Sequence, residues 1–190
     1  MSKLKDYDLY FIHIPKNAGT SFQQEFCSLQ SGHISIKQIH PQYHDKTICI
    51  VRNPYDRIVS LYNYIKMEKS YWHSLDNTTP EQKHELYDYC HSHSFEEFVK
   101  DLCINKIFDG KVHFLPQTYW VTTFKNIIHT KIIKFENLNK DLSKILNKEV
   151  SLIKINSSNT IDYESLYTNE LKNLIYETYK QDFISFNYNK

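Results

Sequence analysis

A short loop near the amino terminus combines small residues with a lysine, a composition typical of an anion site. Ala18 and Gly19 are adjacent small residues in a chain that has one alanine and three glycines. Such residues let another group approach the backbone closely. Lys16 precedes them and adds a positive charge. A strand, a small-residue loop and a helix in this order present N–H groups and a helix dipole that attract phosphate or sulfate.

A second basic site is indicated by the two arginines of the chain. Arg52 and Arg57 lie close together, whereas lysine supplies all the other basic side chains among the 23 lysines and arginines. The planar guanidinium group can bind a phosphate through two parallel hydrogen bonds. Arg52 follows a β-branched segment, which places it at the carboxyl end of a strand, where ligands bind in open α/β sheets. For Arg57, an ion pair on a helix surface is the alternative.

Strand patterns alternate with helix patterns along the chain. Apolar segments at residues 7–14, 47–51 and 131–135 each predict a buried strand, and a helical pattern follows each of them. This alternation predicts an α/β fold with a P-loop-like parallel sheet flanked by helices. The length of 190 residues suits a single domain, residues 1–190. Residues 66–93 fit no clear pattern and are interpreted as an insertion that carries acceptor specificity.

Capping residues predict where the helices begin. Thr20 or Ser21 is expected to cap the helix after the first strand, and Asn53 the helix after the second. Ser94 opens a stretch with capping-box spacing, and Thr168 precedes the final helix. These helices would place the loop at Lys16 and the arginine motif at the same edge of the sheet.

The overall composition argues against several classes of protein. The 23 basic and 22 acidic side chains leave a net charge of +1, whereas nucleic-acid-binding domains carry a basic excess. No apolar stretch is long enough for a membrane span or signal peptide. The four cysteines show no paired spacing, which indicates reduced thiols. Together these features predict a soluble cytoplasmic protein with no nucleic-acid partner.

The two basic sites do not fit the pattern of a nucleoside triphosphatase. A Walker A loop carries its lysine directly after a glycine, whereas Lys16 precedes Gly19 by three residues. The second strand ends in Arg52 instead of an acid that binds magnesium, and Glu136 is a weak substitute. Two separate basic sites at neighbouring strand ends suit a nucleotide with phosphates at two positions of its ribose. That description fits 3'-phosphoadenosine 5'-phosphosulfate (PAPS), the sulfuryl donor.

Two motifs in this order resemble those of PAPS-dependent sulfotransferases. The loop around Lys16 resembles their 5'-phosphosulfate loop, especially in the carbohydrate (Golgi-type) enzymes of sulfotransferase family 2. The segment from Arg52 to Ser60 resembles their 3'-phosphate motif. The Gly-His-x-Ser pattern at residues 32–35 is similar to that of heparan sulfate 2-O-sulfotransferases. The resemblance implies in-line transfer of a sulfuryl group from PAPS to a hydroxyl of an acceptor, expected to be a carbohydrate.

The resemblance also implies roles for individual residues. Lys16 would stabilise charge on the bridging oxygen as the sulfuryl group leaves, and His33 would be the base that removes the acceptor proton. His113 and Gln117 would contact the acceptor, and no metal is required. The residues expected to bind the nucleotide are Lys16, Asn17, Ala18, Gly19, Thr20, Ser21, Arg52, Ser60, Ser157 and Ser158.

Other interpretations stay open at this point. A nucleotide kinase would require magnesium and ATP, and a catalytically inactive nucleotide-binding scaffold would bind the bisphosphate but modify no acceptor. His113, His40 and His44 compete with His33 as the base. The run from Cys90 to His93 suggests zinc, although no second pair of ligands with zinc-site spacing follows it.

Overall fold

A computed structural model of the chain describes residues 1–68, 83–151 and 162–190 and shows a four-stranded sheet. The strands, hydrogen-bonded in this order, are β1 (Ser2–Lys3), β2 (Tyr10–Ile12), β3 (Thr47–Val51) and β4 (Lys131–Lys134). Strands β2, β3 and β4 run parallel, and β1 is antiparallel to β2. The predicted α/β class with a mostly parallel sheet is confirmed. The short edge strand β1 was not predicted.

Helices flank this sheet and join its strands. The α-helices of the described ranges are α1 (Gly19–Phe26), α2 (Pro54–Ile65), α3 (Tyr87–Ser92), α4 (Phe95–Lys100), α5 (Gln117–Val121), α6 (Leu138–Leu146), α7 (Asn169–Thr178) and α8 (Lys180–Ser185). Short 3-10 turns lie at Ile36–Gln38, Pro41–Lys46, Val112–Phe114, Phe135–Asn137 and Tyr163–Leu166, and a π-helical turn at Asp101–Asn105. None of the helices in these ranges is long and apolar enough to cross a membrane.

Several predicted caps are confirmed. The Asn53 side chain accepts a hydrogen bond of 2.9 Å from the N–H of Tyr55 at the start of α2. Ser94 and Glu97 form the predicted capping box at α4. Thr168 caps α7 through the N–H of Leu171. These side chains satisfy backbone donors that a helix leaves without internal acceptors.

The predicted cap of α1 was wrong. Helix α1 begins at Gly19, directly after Ala18 in the left-handed conformation, and no side chain caps it. Because the turn at Ala18 is tight, the helix starts earlier than expected, and the hydroxyls of Thr20 and Ser21 belong to its first turn. Strand β2 is also shorter than the predicted segment of residues 7–14, since its ladder with β3 covers only Tyr10–Ile12.

Strand β3 lies at the centre of the core. All of its side chains are buried, and they alternate between the two faces of the sheet. Ile48 and Ile50 pack with residues of α1 and α6 on one face. Cys49 and Val51 pack with Trp120 of α5 on the other. Because β2 and β3 are parallel, the chain leaves both strands at the same edge, where the loop at Lys16 and Arg52 emerge.

Candidate active site

The loop between β2 and α1 has an unusual backbone. Lys16 and Ala18 have φ angles of 68° and 59°, in the left-handed region that residues with a Cβ atom rarely adopt. Such conformations persist only where the surrounding structure holds them. Asn17 provides that hold, because its buried amide Nδ2 donates to the carbonyl of Ile50 at 2.8 Å and to Gln117 Oε1 at 2.7 Å. The Asn17 side chain therefore faces the protein interior.

Gln117 connects the loop to the end of β3. Its Oε1 accepts from the N–H of Arg52 at 2.9 Å, and its Nε2 donates to the carbonyl of Arg52 at 2.8 Å. Its own backbone N–H donates to Asp182 Oδ2 at 2.7 Å. The side chain of Gln117 is completely buried, so it positions the loop and the arginine, which differs from the acceptor contact that we expected.

The guanidinium group of Arg52 lies beside the loop and is partly exposed. It forms a two-pronged ion pair with Asp56, with Nε to Oδ2 at 2.6 Å and one terminal nitrogen to Oδ1 at 2.8 Å. The other terminal nitrogen donates to the carbonyl of Lys16 at 3.3 Å. The group also stacks over the ring of Phe135, 4.3 Å from its centroid. These contacts fix the plane of the guanidinium beside the loop.

Lys16 supplies a second positive charge at this edge. Its Nζ lies 3.7 Å from the centroid of the Tyr64 ring. No carboxylate in the described ranges forms an ion pair with it. Burial, together with the nearby charge of Arg52, lowers the pKa of Lys16 to about 7. An anion bound here would offset both effects.

Arg57 has a different role from the helix-surface ion pair that we considered for it. Its side chain is 1% exposed. Its guanidinium donates to three carbonyls, those of Pro15 at 3.2 Å, His113 at 3.0 Å and Leu115 at 3.0 Å. Arg57 thus ties the loop on one side of the site to the segment around His113 on the other.

His33 lies beside the loop with a defined tautomer. Its Nδ1 is 2.8 Å from the backbone carbonyl of His13. Because a carbonyl can only accept, Nδ1 carries a proton, and in the neutral ring Nε2 is the basic nitrogen. Burial lowers the pKa of His33 below its ordinary value. The ring is therefore neutral at neutral pH, the state that a general base requires.

His33 belongs to a row of imidazole rings. The ring centroids of His33 and His113 are 6.0 Å apart, and those of His113 and His84 are 5.6 Å apart. Burial lowers the pKa of His113 to about 4, and the charges of its neighbours add to this effect. His84 packs on the ring of Tyr64, and the Nζ of Lys16 lies over the same ring. A continuous series of ring contacts therefore connects the candidate base with the lysine.

The other residues predicted for nucleotide binding lie at the same edge or outside the described ranges. Ala18, Thr20 and Ser21 belong to the loop and the first turn of α1. Ser60 is a partly exposed residue of α2. Ser157 and Ser158 lie outside the described residues, as does much of the predicted insertion at residues 66–93.

Of the competing histidines, His113 joins this group, whereas His40, His44 and the suggested metal site do not. His44 lies in the 3-10 turn that precedes β3, and His40 caps that turn, so both are at the opposite end of β3 from Arg52. His91 Nε2 contacts the carbonyl of Lys66. The described residues contain no group of three or more potential ligands arranged to hold a metal ion.

Several residues of the site were not predicted from the sequence. Tyr64 and His84 belong to the series of ring contacts that leads to the lysine, and Asp182 accepts three hydrogen bonds from Gln117 and Thr118. One feature of the sequence could have drawn attention to Asp182, because it is a single acid within an apolar and aromatic carboxyl-terminal segment. No such feature marks Tyr64, because tyrosine is common on helices throughout this chain.

One of the three comparisons with known proteins identifies a family. The sequence model described as "Sulfotransferase family" matches residues 4–189 of the chain. No curated protein and no solved structure matches the chain. The family match covers the loop, the arginine motif and the histidine row described above.

Proposed function

Since the chain belongs to the sulfotransferase family and is therefore a sulfotransferase enzyme, we propose that it transfers the sulfuryl group of PAPS to a carbohydrate hydroxyl. The proposal rests on one observation: two cationic side chains and a histidine of known tautomer lie at the same edge of the sheet. Lys16 and Arg52 supply the cations, and His33 is the histidine.

The two cations suit a donor with two separate anionic groups. Lys16 lies in the loop before α1, whose first-turn N–H groups have no acceptors inside the helix and favour an anion. Arg52 presents a planar group at the end of the neighbouring strand. In our proposal the first site binds the 5'-phosphosulfate and Arg52, with Ser60, binds the 3'-phosphate.

The proposed reaction is a direct displacement at sulfur. The acceptor oxygen forms a bond to sulfur while the bond between sulfur and the bridging oxygen of the donor breaks. The acceptor proton moves to Nε2 of His33, and the charge that develops on the bridging oxygen is stabilised by Lys16. The carbonyl of His13 stabilises the imidazolium that forms, since Nδ1 keeps donating to it.

A carbohydrate acceptor is supported by the pattern at residues 32–35, which resembles that of glycan 2-O-sulfotransferases. His113 is the proposed acceptor contact, because its ring stands next to that of His33 in the histidine row. Trp120 is buried and its ring packs against that of His33, so it supports the base and is not available to stack on a sugar.

Calorimetric titration tests the donor site. We expect adenosine 3',5'-bisphosphate to bind more tightly than ATP with magnesium. Arg52→Lys keeps the charge but loses the planar group that can bind a phosphate through two parallel hydrogen bonds. It should therefore weaken binding of the bisphosphate by about tenfold or more. Adenosine 5'-monophosphate, which lacks the 3'-phosphate, is the matched control, and its affinity should be the same for both proteins. Equal losses for both nucleotides would remove the 3'-phosphate assignment from Arg52.

Activity measurements test the chemistry. With PAPS and a panel of glycans, His33→Ala should lower kcat by roughly 10²-fold or more while the bisphosphate still binds. Binding of ATP with phosphoryl transfer would instead identify a kinase. Tight binding of the bisphosphate with no modified acceptor across hydroxyl-bearing classes would identify an inactive scaffold.

A further inference from the structure

His13 occupies a position between the donor loop and the candidate base. It follows β2 directly, and its side chain is 3% exposed. Its ring contacts Gly19, the first residue of α1. A Cβ atom at Gly19 would lie 2.1 Å from Cδ2 and 2.4 Å from Nε2 of that ring. The group that approaches the Gly19 backbone is therefore an imidazole of the protein itself.

His13 also contacts His33 in two ways. The two rings have centroids 4.4 Å apart with an interplanar angle of 54°. The backbone carbonyl of His13 accepts from Nδ1 of His33 at 2.8 Å. One residue thus touches the start of α1 with its ring, packs that ring on the candidate base, and fixes the tautomer of the base through its backbone carbonyl.

We propose that His13 is a positioning residue that holds the base His33 in register with the donor loop. The inference rests on the proposed function, in which His33 is the base. The ring of His13 acts as a spacer, so that the distance between α1 and His33 is set by packing against both. A displacement of about 1 Å between reacting groups can cost roughly 10²-fold in rate, which makes such a spacer effective.

Two features suit His13 to this role. Burial lowers its pKa to about 3, so the ring stays neutral at neutral pH and adds no charge that would oppose protonation of His33. The glycine at position 19 is required by the same packing, because any larger residue would displace the ring of His13, which packs on His33. The close approach that the small residues of the loop predicted is thus internal.

The test combines substitutions at both contacts of the spacer. Gly19→Ala should displace the ring of His13, disturb His33 and lower kcat at saturating donor by about tenfold or more. In a His13→Ala background the added methyl group has room, so Gly19→Ala should then change kcat by less than about twofold. Gly32→Ala is the matched control, because a Cβ atom at Gly32 meets nothing within 4 Å although it adjoins His33.

A second measurement does not depend on activity. Nitrogen-15 NMR of the histidine rings should show one tautomer for His33, protonated at Nδ1, in the native protein and in Gly32→Ala. Gly19→Ala and His13→Ala keep the carbonyl of residue 13 but displace or remove the ring that packs on His33, so the ring nitrogen shifts of His33 should change. Equal effects of Gly19→Ala on kcat in both backgrounds, or an unchanged His33 spectrum in Gly19→Ala, would overturn the proposal.

Failure of the base assignment is recognised separately. If His33→Ala retains turnover, the proposed function loses its base, whatever His13 does. If His33→Ala abolishes turnover but the His33 spectrum is unchanged in Gly19→Ala and in His13→Ala, only the positioning role of His13 is refuted. Circular dichroism of each variant establishes that it is folded. If His13→Ala alone does not fold, Gly19→Ala against Gly32→Ala still decides the matter through the NMR spectrum.

Discussion

Binding of the donor should be accompanied by proton uptake at Lys16. Burial and the charge of Arg52 hold the pKa of Lys16 at about 7 in the free protein, against an ordinary value of 10.5. A bound phosphate favours the cation and therefore raises this pKa toward its ordinary value. Above pH 7 the free protein has lost the proton that the complex requires. Binding must then take up a proton, and affinity falls as pH rises.

The expected size follows from these two pKa values. At about pH 8 the free lysine is roughly one-tenth protonated, so binding should take up about 0.9 of a proton. Between about pH 8 and pH 9 the affinity should fall about tenfold, because the protonated fraction of Lys16 in the free protein falls about tenfold over that pH unit. The second ionisation of a phosphate lies near about pH 6, so measurements above neutrality keep the ligand's own titration out of the result.

Isothermal calorimetry measures this uptake directly. Adenosine 3',5'-bisphosphate is titrated at about pH 8 in two buffers of different ionisation enthalpy, and the difference in heat gives the number of protons. Lys16→Arg stays charged, so its uptake should vanish. Lys140→Gln changes an exposed lysine of α6 and should leave the uptake intact. Uptake near zero in the native protein, or equal uptake in Lys16→Arg, would refute the assignment of Lys16 to the phosphate site.

Three further outcomes are expected. The pH profile of kcat/KM should be bell-shaped. Activity should rise through the pKa of His33, which burial lowers below 6.5, and fall above about pH 7 as Lys16 loses its proton. Lys16→Arg should move only the alkaline limb, to higher pH. In urea unfolding, Phe98→Ala should cost about 3–5 kcal/mol because Phe98 is 0% exposed, whereas Phe124→Ala, at 81% exposure, should change stability by less than about 0.5 kcal/mol. Asp182→Asn replaces one carboxylate oxygen by a donor that faces backbone N–H groups, so the free energy of unfolding should fall by about 1–3 kcal/mol in denaturant titrations. A loss below about 0.5 kcal/mol would contradict the buried network.

Local patterns sufficed where local forces decide the structure. The segment Thr47–Val51 is β-branched and apolar, and it forms β3 with the predicted bounds. Asn53 and Ser94 cap their helices because the capping hydrogen bonds involve residues only two or three positions away. The start of α1 could not be predicted in this way. Its left-handed Ala18 depends on Asn17, which is held by Ile50 and by Gln117, a hundred residues further along the chain.

The same distinction separates the site residues that were predicted from those that were not. Lys16, Arg52 and His33 occur in short motifs, and the structure brings them to one edge of the sheet. The contacts of His33 with His113, and of His113 with His84, join residues that are 80 and 29 positions apart. No local pattern reports such a meeting. The motifs therefore predicted which groups lie together at this edge, and only the fold shows which residues surround them.

The two arginines show how far a compositional signal reaches. Arg52 and Arg57 stand out equally in a lysine-rich sequence, and both are part of the site. Arg52 is partly exposed, with Asp56 as its ion-pair partner at the mouth of the loop. Arg57 is buried on carbonyls that point at it from separate segments, an arrangement that a planar group with several donors satisfies and a lysine ammonium does not. Scarcity of arginine thus marks positions where guanidinium geometry matters, but only the structure shows that Arg57 is buried and that Arg52 stays accessible.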